Sequence, residues 1–68
     1  MNKQEAIEQM KKGIKITHEW FSKDEWVTMN SRGEIVLEDG FICSPNEFWQ
    51  WRTSGTWNNG YSLFETNN

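Results

Sequence analysis

The stretch WVTMNSRGEIVLEDGFIC, residues 26–43, contains the densest set of β-sheet signals in the chain. Asp39-Gly40 is a strong hairpin signal, because glycine readily adopts the positive φ that tight hairpin turns require. The segment Asn-Ser-Arg-Gly is a second turn signal earlier in the same stretch. We therefore predict three antiparallel strands connected as a meander, at residues 26–29, 34–38 and 41–43.

The segment before this meander predicts a helix followed by a strand. Asn2 can cap the helix, and Glu5 stands three residues later, where it completes a capping box. Gly13 is a natural stop for this helix. Residues 14–17 then alternate as a strand, which predicts that Ile14 and Ile16 share one face.

The segment after the meander predicts a second helix and a last strand. Ser44 is a good cap, Pro45 suits the first helical position, and Glu47 stands at the third. We predict a helix of about two turns near residues 45–52, then a loop rich in Gly and Asn, then a strand at 61–64. The prediction is one small α+β domain over 1–68, with an antiparallel sheet of four to five strands.

The single cysteine and the single histidine limit how so short a chain can be stabilised. Cys43 cannot form a disulfide within the chain, and a closed zinc site normally takes four soft ligands. We expect no metal and no cofactor. A 68-residue core is small, so much of the buried area must come from its ten aromatic residues, which include five tryptophans.

Charge and motifs exclude several functional classes. The net charge is −3 and the basic residues are dispersed, whereas proteins that grip duplex nucleic acid show a basic stripe. No apolar run approaches the length of a membrane span, and a lone thiol without an export signal is typical of a cytoplasmic protein. The chain has no phosphate loop, nucleophile motif or metal-ligand spacing. We expect a binding protein and no enzyme.

The aromatic residues divide into a core set and a surplus. Trp20 lies in a polar connection and Trp57 in the Gly/Asn loop, so packing explains these two least. We treat them as ligand-contacting candidates, the alternative being a satellite of the core. The residues expected to be mostly core are Trp26, Phe41, Phe48, Trp51 and Phe64.

Polar residues near these two tryptophans complete the predicted binding site. Trp20 and Trp57 would stack a base, and Arg52 and Lys15 would meet phosphate. The residues that would read polar edges are His18, Asn58 and Asn59. Two alternatives stay open: His18 bonded to the backbone, and Arg52 as a cation at the helix end.

The opening of the chain resembles a family of small phage proteins. Residues 5–20, EAIEQMKKGIKITHEW, are similar to the anti-Thoeris sponge family and its anti-CRISPR relatives, in which a helix of the form EAL-x-x-L-K-x-G-K-K leads into a strand, a basic residue and a Trp. The resemblance covers about the first 20 residues, and His18 stands where that family often has Arg. It implies a small α+β homo-oligomer, active in the host cytoplasm, that sequesters cyclic nucleotide immune signals at subunit interfaces.

Two functions from different classes follow from these observations. The first is a phage-type anti-defence protein, a non-catalytic homo-oligomeric sponge for a nucleotide-derived immune signal. The second is a protein–protein inhibitor that docks an aromatic patch on a host defence or transcription protein, because Trp, Tyr and Arg are also the residues of protein hot spots. A purely structural virion or accessory domain is a third possibility.

Overall fold

The computed structural model describes residues 1–65 and confirms an α+β domain with an antiparallel sheet. A short 3₁₀ helix, Gly55–Trp57, precedes the last strand. The two α-helices are α1, Lys3–Lys11, and α2, Pro45–Gln50. The five strands are β1, Ile16–His18; β2, Val27–Met29; β3, Ile35–Leu37; β4, Ile42–Cys43; and β5, Tyr61–Leu63.

The strand order is β4-β3-β2-β1-β5, and every neighbouring pair is antiparallel. The predicted meander therefore forms β2, β3 and β4, with Val27 opposite Leu37 and Ile35 opposite Cys43. The chain then crosses through α2, and β5 pairs with β1 at the far edge, with His18 opposite Tyr61. This return brings the loop before β5 next to the end of β1.

Helix α1 begins and ends as its sequence predicts. The Glu5 N–H donates to Asn2 Oδ1 at 2.8 Å, and the Asn2 N–H donates to Glu5 Oε1 at 3.0 Å, which is the capping box. Gly13 adopts a φ of 81°, and its N–H donates to the Met10 carbonyl at 2.9 Å. The cap residues satisfy backbone groups that the helix itself leaves free.

The first strand starts two residues later than predicted. The Ile14 N–H donates to the Gln9 carbonyl at 3.2 Å, so Ile14 still belongs to the exit of α1. Ile14 is exposed, whereas Ile16 is fully buried. The prediction of a strand from residue 14, with Ile14 and Ile16 on one face of it, was wrong because Ile14 lies before β1.

One face of the sheet carries the core. Helix α1 packs across β1, β2 and β5, and Phe48 of α2 joins the same cluster. The strand residues that point to the opposite face, among them Thr17, Thr28 and Val36, are only half-buried. The buried apolar residues are Ala6, Met10, Ile16, Val27, Met29, Ile35, Phe48 and Tyr61.

Two aromatic residues expected in the core are exposed. Trp51 is 80% exposed and Phe41 is 56% exposed. Arg52, and not Trp51, packs against Phe48. The Arg52 guanidinium carbon lies 4.0 Å from the Phe48 ring centroid. Phe41 precedes the two-residue edge strand β4 and lines an open groove beside α2. Phe48 is buried as predicted.

The other two, Trp26 and Phe64, are half-buried and lie 6.4 Å apart between ring centroids. The Lys15 Nζ lies 4.4 Å from the Trp26 ring centroid. Since Val27 is a core residue and side chains alternate along a strand, Trp26 belongs to the opposite face of the sheet. These two rings shield the second face and do not extend the core.

Candidate functional site

His18 is part of the interior. Its side chain is 3% exposed at the end of β1. The Trp20 N–H donates to His18 Nδ1 at 3.1 Å, and His18 Nε2 lies 2.7 Å from the Asn59 carbonyl oxygen. The first bond makes Nδ1 an acceptor, so the second assigns the ring proton to Nε2. Both ring nitrogens therefore bond to backbone groups of the chain. This is the alternative in which His18 is bonded to the backbone and does not contact a ligand.

The rings around His18 form what we call the aromatic cluster: His18, Phe21, Trp57 and Tyr61. The His18 ring centroid lies 4.4 Å from that of Trp57 and 4.5 Å from that of Tyr61, and Phe21 lies 6.0 Å from Trp57. The Tyr61 hydroxyl donates to the Trp57 carbonyl at 2.6 Å. Trp57 is half-buried in the 3₁₀ helix, so packing against His18 explains its position.

Arg52 lies beside this cluster and is also held by the chain. Its Nη1 donates to the Phe48 carbonyl at 2.9 Å, and its guanidinium lies 5.4 Å from the Trp57 ring centroid. Its Nε is buried and has no hydrogen-bond partner among the described residues. A guanidinium between two rings gains cation–π attraction, so Arg52 links the end of α2 to the loop before β5.

The remaining predicted site residues are dispersed. Trp20 is 65% exposed, in line with its predicted position in a polar connection. The Asn58 carbonyl accepts the Lys3 N–H at 2.9 Å, which ties this loop to the start of α1. Lys15 lies on the other face of the sheet, over Trp26. The structure therefore brings together His18, Arg52, Trp57 and the Asn59 backbone, and it places Lys15 elsewhere.

A separate cleft of about 650 Å³ lies between α1, the β2–β3 turn and the start of α2. Three cationic residues line it, Lys3, Lys11 and Arg32, and none of its lining residues within the described part of the chain is acidic. We call it the cationic cleft. Its full lining is Lys3, Ile7, Lys11, Met29, Asn30, Ser31, Arg32, Gly33, Pro45 and Trp49.

The wall formed by the β2–β3 turn is fixed by Asn30. The Asn30 Oδ1 accepts the Arg32 N–H at 2.9 Å and the Glu34 N–H at 3.0 Å. Gly33 has a φ of 78°, and its N–H donates to the Asn30 carbonyl. The Arg32 guanidinium is largely exposed, and its Nη1 lies 4.0 Å from the Glu34 Oε1, which is long for an ion pair. Such surface pairs contribute little to stability. Arg32 can therefore turn toward an anion in the cleft.

An aromatic ring forms part of the opposite wall. Trp49 is half-buried, and the Lys3 Nζ lies 4.3 Å from its ring centroid. Beside the cationic cleft, a second cleft of about 620 Å³ shares Lys3, Ile7 and Lys11 and reaches Asn58, one of the predicted site residues. The exposed side of α1 is thus bordered on both flanks by concave surface.

Sequence reasoning missed the cationic cleft because its residues are far apart in the chain. Lys3, Ile7 and Lys11 follow one another at intervals of four, so they share one face of α1, and this spacing was the available signal. Arg32 and Trp49 join them only through the sheet and the crossover.

The thiol of Cys43 is half-buried, and its surroundings favour the protonated form. Burial raises the pKa of Cys43, the Glu47 carboxylate raises it further, and the Arg52 guanidinium lowers it in part. A thiolate is the reactive form of cysteine, so a raised pKa disfavours nucleophilic chemistry at neutral pH.

Alkaline pH should destabilise the domain through Tyr61. Burial raises the pKa of the Tyr61 hydroxyl to about 12, and Arg52 offsets part of this effect. The phenol of the unfolded chain ionises near pH 10, so the contribution is complete below that pH and is lost as the pH rises to about 12. The expected loss is roughly 2–3 kcal/mol of unfolding free energy.

Urea unfolding at a series of pH values from 8 to about 12 measures this loss. In Tyr61→Phe the same series should fall less steeply, because the group that ionises is gone while the ring remains. An equally steep decline in both proteins would contradict a role for Tyr61.

Within residues 1–65, no three metal-ligating side chains come together in a possible ion site. Among the same residues, no helix has both the length and the apolar character that crossing a bilayer requires. Comparison of the chain with known protein families, with curated proteins and with solved structures finds no match.

Proposed function

We propose that this protein is a non-catalytic binding protein for a small nucleotide-type anion, and that the cationic cleft is its binding site. The observation that carries the proposal is the meeting of Lys3, Lys11 and Arg32 around one concave surface of a chain with net charge −3. Cations that converge in an otherwise acidic protein provide an electrostatic well for an anion. The cleft volume of about 650 Å³ lies in the range of small-molecule sites.

The apolar residues of the cleft favour a ligand with a flat ring as well as a charge. Trp49 lines the cleft together with the apolar side chains of Ile7 and Met29. Lys3 now covers the Trp49 ring; on binding, its flexible amine pairs with a phosphate while a base takes the ring face. Stacking of a base on an aromatic side chain contributes on the order of 1–3 kcal/mol. The proposal thus assigns to Trp49 the stacking role that the sequence assigned to Trp57.

The resemblance of the first 20 residues to sponge proteins supplies a biological role for such a site. In that role the protein sequesters a nucleotide-derived immune signal in the host cytoplasm and performs no chemistry on it. Asn58, in the adjoining cleft, remains available as a polar contact. Trp20 remains an exposed ring that a larger ligand could reach.

Charge reversal at Lys11 should weaken nucleotide binding at least roughly tenfold, because one of three cleft cations becomes an acid. The matched control is Lys12→Glu, which makes the same charge change at the neighbouring exposed residue outside the cleft. Binding is measured by tryptophan fluorescence against cyclic di- and trinucleotides and ADP-ribose derivatives, at two salt concentrations.

For the wild type, a ligand at 100 times its dissociation constant should stabilise the fold by about 2.7 kcal/mol, which a thermal shift assay detects. Equal weakening by Lys11→Glu and Lys12→Glu would indicate a general charge effect and no site. Failure of every nucleotide in the panel would remove the proposal.

The protein–protein inhibitor remains as a second candidate, because one surface suits it. Trp51 and Phe41, both expected in the core, are largely exposed. Tryptophan is enriched among the residues that dominate the binding energy of protein interfaces. This surface lies away from the cationic cleft and shares none of its lining residues.

A further inference from the structure

The surface with Trp51 has a charge opposite to that of the cationic cleft. We define the aromatic patch as Leu37, Phe41 and Trp51, which line a shallow groove of about 250 Å³ between α2 and the β3–β4 hairpin. Glu47 also lines this groove. The hairpin turn that carries Phe41 contributes two further exposed acids, Glu38 and Asp39.

Among the described residues that line this groove, the one cation already has partners within the chain. Arg52 lines the groove, but its guanidinium is bonded to the Phe48 carbonyl and lies over the Phe48 ring. The surroundings of the patch are therefore acidic in balance, with three exposed carboxylates against one half-buried guanidinium.

Helix α2 presents the two surfaces on opposite sides. Pro45 and Trp49 line the cationic cleft, while Glu47 and Trp51 line the groove of the aromatic patch. Residues two positions apart on a helix point about 200° apart. One molecule can therefore offer its patch to a neighbour while its own cleft receives another molecule.

We propose that the aromatic patch of one copy docks into the cationic cleft of a second copy, with the Trp51 ring against the apolar residues that line that cleft. Charge complementarity selects this occupant: the acids around the patch meet Lys3, Lys11 and Arg32. Patch-to-patch pairing would instead place acid against acid. A contact between two different surfaces is heterologous, so it builds a closed ring or an open chain of molecules.

The contact is small. Two exposed aromatic side chains supply only part of the roughly 1,200 Å² that stable interfaces bury, so self-association should be weak and should strengthen at low salt. Docking does not require nucleotide binding. Because both occupants use the cationic cleft, a bound nucleotide should dissociate the assembly.

Sedimentation equilibrium of two complementary variants tests this geometry. Trp51→Ala removes the tryptophan of the patch and keeps the cleft; the double variant Lys11→Glu/Arg32→Glu reverses two of the three cleft cations and keeps the patch. Each alone should self-associate at least roughly tenfold more weakly than wild type. Mixed together they should form a 1:1 dimer that grows no further, because only one productive contact remains.

Trp20→Ala, which removes another exposed tryptophan, is the matched control and should associate like wild type. Phe41→Ala provides a second patch variant if Trp51→Ala does not fold. A wild type that stays monomeric at millimolar concentration, or a mixture that stays monomeric, would overturn the proposal. Trp51→Ala should keep nucleotide binding, so loss of docking and loss of ligand binding are separate results.

Discussion

Replacing His18 with alanine should leave much of the protein unfolded at 25 °C. The ring is 3% exposed and packs against Trp57 and Tyr61, so its removal leaves a cavity. It also breaks the bonds of this ring to the Trp20 N–H and the Asn59 carbonyl, both part-buried, at about 0.5–1.5 kcal/mol for each bond. The total is comparable to the roughly 3–5 kcal/mol that a core of this size supplies.

The measurement is the free energy of unfolding in urea, followed by tryptophan fluorescence and circular dichroism. Trp20→Ala is the control, because it removes an exposed side chain next to His18 and keeps the backbone N–H that His18 accepts. The control should lose less than about 1 kcal/mol. Similar stability in wild type and His18→Ala would contradict the buried position of the imidazole.

Replacing Ile35 with alanine should destabilise the domain by about 2–5 kcal/mol. Ile35 is fully buried in β3, pairs with Cys43, and belongs to the hydrophobic core. The deleted methyl groups leave a void that a five-stranded sheet of short strands cannot easily close.

Ile42 provides the matched comparison for Ile35. It is an isoleucine in the adjacent strand β4, and it is 50% exposed. Ile42→Ala removes the same atoms from the edge of the sheet, so it should cost less than about 1 kcal/mol. Equal losses in the two variants, measured by urea unfolding, would show that the wrong face of the sheet has been assigned to the core.

Local signals in the sequence were sufficient to predict the helices and the hairpin. The Asn2 capping box, the Ser44-Pro45 helix start and the Asp39-Gly40 turn each act through residues three or four apart. Such interactions can be predicted without the fold.

Burial of the aromatic residues depended on packing that the sequence does not display. Arg52 packs against Phe48 where Trp51 was expected. Trp57 packs against His18 because β5 pairs with β1. The cationic cleft is a third such case, because Arg32 and Trp49 reach α1 only across the sheet. Long-range contacts therefore decide which tryptophans are packed and which remain exposed or line a cleft.

More aromatic residues therefore lie outside the core than the sequence predicted, and they are in part different residues. Trp57 is engaged in the aromatic cluster, whereas Trp49 faces the cationic cleft and Trp51 projects from α2. The two proposals divide these rings: Trp49 for a nucleotide base and Trp51 for a second copy. Both depend on the same three cations.

A nuclear magnetic resonance titration tests the cationic cleft most directly. Backbone amide and indole N–H signals of ¹⁵N-labelled protein are followed as a cyclic dinucleotide, or the tightest nucleotide of the panel, is added. The titration is done on Trp51→Ala, so that release of a docked second copy adds no shifts; the proposed site then predicts shifts confined to the cleft, at Lys3, Lys11, residues 30–33 and the Trp49 indole, with the Trp57 indole unchanged. Shifts centred on Trp57 and Trp20 with Lys11 and Arg32 unchanged, or no shifts at millimolar ligand, would contradict it.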